Sequence, residues 1–298
     1  MRNIYFLLMI ISLNTFSQKK KVLLIGIDGL QFQQISNSKT PNFDKFTIKK
    51  AFTGGIFGTH SEQVTSSGPS WMTILTGVWT DNHKITSNSS KQICNFPSVF
   101  NHIRTEKKDS YLVSISTWKN INLLLYKDMY NVNFSTQGGT DEESTNLALY
   151  QIIEKSPDFT FVHLDEIDGA GHSKGFGKDY LNAIEKVDKS IGKFLKATKS
   201  REEKYNEDWL IILVTDHGRD EGGFSHGNQT IQEKTIFIGM NKKGNFIFNN
   251  INNNKVIKII KELEKNAIPQ TAVVPTILKF LDIPINVDWN LKTKSLIE

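Results

Sequence analysis

The stretch Asp208-Trp-Leu-Ile-Ile-Leu-Val-Thr-Asp-His-Gly218 constrains this chain more than any other. Its unbroken apolar, β-branched run from Leu210 to Val214, bounded by polar residues and glycine, reads as a strand buried on both faces of a parallel sheet. The run stops on two adjacent residues, Asp216 and His217. In open α/β sheets, ligands sit outside the carboxyl ends of the strands. A carboxylate and an imidazole placed there can hold a divalent metal, because both offer lone pairs near neutral pH. A plain strand-capping turn has the same local sequence, so the rest of the chain has to decide.

A second apolar run, Lys21-Val-Leu-Leu-Ile-Gly-Ile, ends on Asp28-Gly29, which puts Asp28 where Asp216 lies, at the carboxyl end of a strand. Further strands are expected at Tyr111–Ser116, Asp158–Asp165 and Thr235–Gly239. Helices are expected over Asn146–Lys155, through Tyr180, Ile184, Val187, Ile191 and Phe194, and over Thr271–Pro284, where apolar residues recur at helical intervals. Thr40–Phe46 reads as a turn entering a helix, and Val256–Leu263 is amphipathic. Strands and helices therefore alternate as in an α/β sandwich. With neither an internal repeat nor a linker, residues 18–298 read as a single domain.

Other chemistry-bearing residues fall at the edges of these elements. Pro69 suits the first turn of a helix, so Ser67 and Gly68 open one that carries Trp71, Ile74 and Leu75. A hydroxyl there is either a helix N-cap or a group facing an anion site, where backbone N–H groups and the dipole favour negative charge. Asp168-Gly-Ala-Gly171-His172 reads as a flexible turn rather than a helix, able to bring a carboxylate and an imidazole onto one ion. His226 is flanked by glycine-rich backbone. His163, inside a strand, reads as a satisfied core histidine, and Trp71, Trp118 and Phe224 as core residues before cleft residues.

Composition narrows the class. Hydrophobic residues make up 38% of the 298, enough for a sizeable core. The formal charge is +5 with acids and bases interspersed, and the longest basic run is Lys19–Lys21, so no nucleic-acid-binding arm is indicated. Arg2 precedes an apolar run from Ile4 to Leu13, followed by Asn14-Thr-Phe-Ser17 with a small residue at its end. Residues 1–17 therefore read as a secretory signal peptide, too short to span a bilayer, which points to a periplasmic or secreted protein without a membrane span once it is removed. The lone cysteine, Cys94, excludes an internal disulfide and a cysteine-rich metal site, and reads as a small core residue.

Asp28, Asp168, His172, Asp216, His217 and His226, with Ser67, stand together as carboxylates, imidazoles and a hydroxyl at strand ends and turns. Six such ligands divide naturally into two sites of three. Asp and His without thiolates suit zinc, and also manganese or iron. In this order the motifs Asp-Gly, hydroxyl-x-Pro before Leu-Thr-Gly, Asp-x-x-x-His, Asp-His-Gly and His-Gly resemble the alkaline phosphatase superfamily, especially its nucleotide pyrophosphatase/phosphodiesterase branch. That resemblance implies a three-layer α/β/α sandwich with a mostly parallel sheet. It implies one zinc on Asp168, His172 and His226, a second on Asp28, Asp216 and His217, and Ser67 as nucleophile. In His83-Lys-Ile-Thr-Ser-Asn88, it implies that Asn88 donates to a phosphoryl oxygen, although Lys84 stands where that branch has glycine. The serine replaces that branch's usual threonine.

The resulting expectation is a two-metal hydrolase of small phosphate esters, a phosphodiesterase working through a phosphoseryl intermediate on Ser67. The alternatives are a phosphomonoesterase, which would need a cationic clamp from Lys84, Lys119 or Arg219; a sulfatase; and a non-catalytic metal-stabilised binding protein. Against the sulfatase, Ser67-Gly-Pro-Ser-Trp71 lacks the arginine of the sulfatase maturation motif.

Overall fold

The computed structural model describes residues 18–298; the expected signal peptide lies outside them. The apolar runs become the strands β1 (Lys19–Ile27), β5 (Phe159–Leu164), β6 (Glu207–Val214) and β7 (Thr235–Met240), and Leu112–Ser116 forms β3. With β2 (Thr47–Phe52) and the two-residue strands β4 (Phe134–Ser135) and β8 (Ile268–Pro269), they build one eight-stranded sheet ordered β4-β3-β5-β1-β6-β7-β2-β8. β1 lies at its centre, parallel to β5 on one side and to β6 on the other. β7 pairs antiparallel with both β6 and β2, so the sheet is mostly parallel.

Alternate side chains of one strand serve opposite faces of the sheet. Val22 and Leu24 of β1, with Leu210 and Ile212 of β6, pack under the helices Ser67–Thr76, Val99–Glu106 and Val273–Phe280. Leu23, Ile25, Ile211 and Leu213 face the other way, against Tyr180, Ile184, Val187, Ile191 and Phe194 of the long helix Lys178–Tyr205. This is the α/β/α sandwich expected, and it explains why the two central strands have no polar face. The long helix keeps a strict apolar stripe because only that stripe meets the sheet. Cys94 is buried in the first of these two cores.

The departures from expectation are local. The segment 166–174 is an α-helix, Glu166–Lys174, not a turn. Thr40–Phe46 contributes only the 3-10 turn Phe43–Lys45 and leads into β2. The expected helix at 146–155 starts earlier, at Asp141, where Thr140 and Glu143 form a reciprocal capping box, and its last turn, Gln151–Lys155, is π-helical. Of the amphipathic segment, only the part from Ile260 onward is helical, in Ile260–Asn266. The last packing helix is shorter than expected, Val273–Phe280. Among the described residues no helix is long and apolar enough to cross a membrane.

Candidate active site

The central strands deliver their last residues to one edge of the sheet. Asp28 follows β1, Asp216 and His217 follow β6, and Asp168 follows β5 on the first turn of the helix Glu166–Lys174. That helix corrects the expected turn and does its work by a different route. Asp168 and His172 are four residues apart, so helical geometry stacks them on one face; His172 Nε2 lies 3.1 Å from Asp168 Oδ2. Gly171 serves close packing instead of flexibility, since a Cβ there would sit 2.4 Å from Arg219 Nε.

Ser67 is the first residue of its helix, not the cap; the capping position is Ser66. Ser67 Oγ instead lies 3.3 Å from His217 Nε2 and 3.4 Å from Asp28 Oδ1. Gly68 lets the chain pass this point, because a Cβ there would meet the Ser87 carbonyl oxygen at 2.4 Å. The Gly68 N–H donates to Asn88 Oδ1 at 2.7 Å, which fixes Asn88 beside Ser67 and leaves its Nδ2 for another acceptor. Ser67, Asn88, Trp118, Asn120, Asp165, Asp168, His172 and His226 line one open cleft of about 270 Å³.

All three expected histidine ligands carry their proton on the far side of the ring. His172 Nδ1 is 3.0 Å from the Phe224 carbonyl, His217 Nδ1 is 3.0 Å from the Gly218 carbonyl, and His226 Nδ1 is 2.9 Å from the Thr65 carbonyl. A carbonyl only accepts, so Nδ1–H donates and each ring turns its Nε2 into the site; the Asp168 hydrogen bond raises His172 above its ordinary value, while burial lowers His217 and His226. His172 Nε2 and His226 Nε2 are 3.2 Å apart, and His226 Nε2 is 3.9 Å from Asp168 Oδ1. On the other side, His217 Nε2 is 3.5 Å from Asp28 Oδ1 and 3.3 Å from Asp216 Oδ2. Among the described residues Asp216 Oδ2 is buried without a hydrogen-bond partner, while Oδ1 accepts from the Gly29 N–H at 3.1 Å.

Two groups therefore have ligand atoms close enough to hold a metal ion: Asp168, His172 and His226, and Asp28, Asp168 and His217. The first is the set expected from sequence. The second differs from the expected Asp28, Asp216 and His217: Asp168 stands in the group in place of Asp216, whose Oδ2 is nevertheless 3.3 Å from His217 Nε2.

The electrostatics agree with a cation-seeking pocket. Burial, then the Asp168 charge, pushes Asp28 well above the usual carboxylate range, and burial, then Asp28, does the same to Asp216. Burial, then the neighbouring His226, keeps His217 far below its ordinary value and so neutral. Asp168 is the exception. Burial works to raise it, but the His172 hydrogen bond and the surrounding positive groups hold it below its usual range. Unpaired buried carboxylates and inward-facing imidazole lone pairs are costly alone and favourable around a divalent ion. The residues present fit such ions.

A third close group, Asp28, His163 and Asp165, differs. His163 Nδ1 accepts the Trp118 N–H at 3.4 Å, so its Nε2–H donates to Asp28 Oδ2 at 3.0 Å and offers no lone pair. His163 is thus the satisfied buried histidine expected, with the added task of orienting Asp28. The Trp71 indole N–H does the same at 2.9 Å, from a side chain with no exposed surface. Of the three aromatic residues considered, Trp71 is core, Trp118 lines the cleft, and Phe224 is half-exposed and supports His172 through its carbonyl.

The expected phosphate clamps are placed otherwise. Arg219 is fully buried and bound to Asp168 and to the carbonyls of Gly223 and Phe224. Lys84 Nζ donates to the Asp81 carbonyl at 2.5 Å, and neither Lys84 nor Lys119 lines the cleft. Sequence reasoning missed two supporting groups. Glu233, also fully buried, accepts from Thr65 Oγ1 at 3.0 Å and from the Asn228 N–H at 2.6 Å, tying together the two loops that position His226. The other, Asp165, lines the cleft, and its place at the end of an apolar strand gives no signal of that.

A sequence model described as type I phosphodiesterase / nucleotide pyrophosphatase matches residues 22–111 and 108–274, which takes in all seven expected site residues and Asn88. The chain belongs to this family. Among curated relatives it is 25% identical over 238 residues to GPI ethanolamine phosphate transferase 1 of Yarrowia lipolytica, covering 70% of this chain and 25% of the relative. It is 22% identical over 221 residues to a bis(5'-adenosyl)-triphosphatase of Pongo abelii, covering 66% and 47%. The chain thus spans between a quarter and about half the length of these relatives. The fold is shared with the alkaline phosphatase of the Antarctic bacterium TAB5 (TM-score 0.58, 14% identity, 90% of this chain and 99% of that one). It is shared equally with a 2-O GAG sulfatase (TM-score 0.64, 13% identity, 94% and 73%). At these identities the two structures bear on architecture alone.

Proposed function

We propose that this member of the type I phosphodiesterase family is a two-metal phosphodiesterase whose nucleophile is Ser67. The observation that carries the reading is the Ser67 hydroxyl, held between His217 and Asp28, with the Nε2 atoms of His172, His217 and His226 all turned inward. Asp168, His172 and His226 would hold one divalent ion and Asp28, Asp216 and His217 the other, with zinc suited to this donor set. Bound there, the ions would lower the pKa of the Ser67 hydroxyl and neutralise charge gathering on the phosphoryl oxygens.

The chain's own residues do the rest. Ser67 Oγ attacks phosphorus, the bond to the departing alcohol breaks, and a phosphoserine forms. Water then cleaves the Oγ–phosphorus bond and releases a monoester. Asn88, pinned by the Gly68 N–H, presents its Nδ2 to a phosphoryl oxygen. Trp71 and His163 keep Asp28 in place, and Arg219 does the same for Asp168.

A diester is favoured over a monoester because none of the eight cleft residues is lysine or arginine, and a dianionic phosphate would ask for one. The signal-peptide reading of residues 1–17 would place this chemistry in the periplasm or outside the cell. Hydrolysis of bis-p-nitrophenyl phosphate by the zinc-loaded protein, compared with p-nitrophenyl phosphate, tests the proposal. Higher kcat/KM on the diester is expected. A preference for the monoester would transfer the protein to the phosphatases, and inertness toward both would end the hydrolase reading.

A further inference from the structure

The long helix Lys178–Tyr205 packs one apolar stripe on the sheet. Beside that stripe Lys193, Lys196, Ala197, Ser200, Arg201 and Lys204 follow one another at helical spacing and share one side of the helix. Facing them stand Leu149 and Ile153, from the helix Asp141–Tyr150 and its π-helical last turn. The two walls enclose an open groove of about 320 Å³. Arg201 ties them together: its Nη1 donates to the Ile153 carbonyl at 2.7 Å, its guanidinium lies 4.2 Å from the centre of the Tyr205 ring, and Glu207 balances its charge. Both helical segments end just before β5 and β6 begin, so the groove lies at the amino ends of the strands, on the opposite edge of the sheet from Ser67.

The floor of the groove is apolar, made by Leu149, Ile153, Ala197 and the Tyr205 ring, and about half of the Ile153 and Tyr205 surfaces face solvent. Its rim is cationic. The neighbouring Lys186 and Lys199 pair with Glu166 and Glu203, whereas among the described residues Lys193, Lys196 and Lys204 enter no ion pair. No acidic residue lines the groove. A recess higher on the same helices differs, because there Lys186, Lys189 and Lys193 meet Asp141, Glu142 and Glu166 and the charges offset one another. Scattered exposed apolar residues need no explanation, but a contiguous apolar trough rimmed by unpaired ammonium groups is complementary to a chain that ends in an anion. The volume, at the small end of ligand sites, suits one such chain, and the concave shape suits a single molecule better than a flat bilayer.

We propose that this groove binds a single-chain amphiphile with an anionic head group, its chain on Leu149, Ile153 and Ala197 and its head among Lys193, Lys196 and Lys204. Occupancy there does not depend on the hydrolytic reaction.

Isothermal titration of the zinc-loaded protein with sodium laurate, kept below its critical micelle concentration, tests this. Laurate should bind with equimolar stoichiometry. Dodecyltrimethylammonium, with the same chain and the opposite charge, and butyrate, with the same head and a short chain, should each bind at least about tenfold more weakly. Ile153→Glu places a carboxylate in the trough, and the combined Lys193→Gln, Lys196→Gln and Lys204→Gln variant removes the rim charge; each should weaken laurate binding about fivefold or more. These positions are all exposed, so both variants should keep the wild-type Tm. Equal affinity for laurate and dodecyltrimethylammonium would overturn the inference. So would wild-type laurate affinity in both variants, which would put the ligand elsewhere, the metal ions included. Binding to dioleoylphosphatidylglycerol vesicles with none to monomeric laurate would overturn it in favour of a membrane surface.

Discussion

At the scale of single residues, the site depends on which atom of each side chain faces inward. Ser67 meets His217 and Asp28 through Oγ alone, and its backbone has no part in either contact. Replacing it with alanine removes the proposed nucleophile while leaving the six proposed carboxylate and imidazole ligands untouched. Ser67→Ala should therefore bind zinc with the wild-type stoichiometry and lose turnover on bis-p-nitrophenyl phosphate by roughly a thousandfold or more. Parallel metal analysis and kinetics check this, and retained turnover would remove Ser67 from the mechanism. The carboxylates and imidazoles that the fold gathers were legible in the sequence because they fall together, in a recognisable order, at strand ends and turns. Their supports were not. Nothing in the order of residues tells that the Trp71 indole reaches Asp28, or that Glu233 holds Thr65, because those contacts join residues far apart in the chain.

At the scale of elements, the helix Glu166–Lys174 shows where local reading stops. Two glycines in four residues weaken a helix and invite a turn assignment. Here Gly171 is required by the buried Arg219 packed on it, while a Cβ at Gly169 would meet nothing within 4 Å. The two positions should respond with opposite sign in urea unfolding. Gly169→Ala should stabilise by up to about 1 kcal/mol through helix propensity. Gly171→Ala should destabilise by about 1–3 kcal/mol, since Arg219 is bound on several sides and cannot yield. β2 escaped detection for a related reason: Lys49 and Lys50 break its apolar pattern, yet their ammonium groups are drawn to the carbonyls of Ile251 and Lys255.

The junction of the long helix with β6 gives a pH dependence. Burial alone would raise Glu207. Hydrogen bonds from Arg201, Ser156 and Trp209 overcome this and bring it down from 4.5 to about 2. A depressed folded-state pKa contributes stability above the unfolded value, and that contribution is lost as pH falls through the folded one. The Tm difference between wild type and Glu207→Gln should hence be full at pH 7 and shrink between about 4.5 and about 2. A difference constant across that window would contradict the assignment.

At the scale of the whole molecule, the sheet order puts β1 between β5 and β6, so the residues following three adjacent parallel strands converge on one edge. The sequence showed that these strands exist and end in acids. It did not show their order, because strand neighbours are chosen by packing across the sheet and not by proximity along the chain. The central claim is that this edge gathers two metal ions around Ser67. Anomalous-difference maps from crystals of the zinc-loaded protein, recorded across the zinc edge, test it most directly. Two peaks are predicted, one among Asp168, His172 and His226 and one among Asp28, Asp216 and His217, both within reach of Ser67 Oγ; a map with no peak at either place would contradict the account.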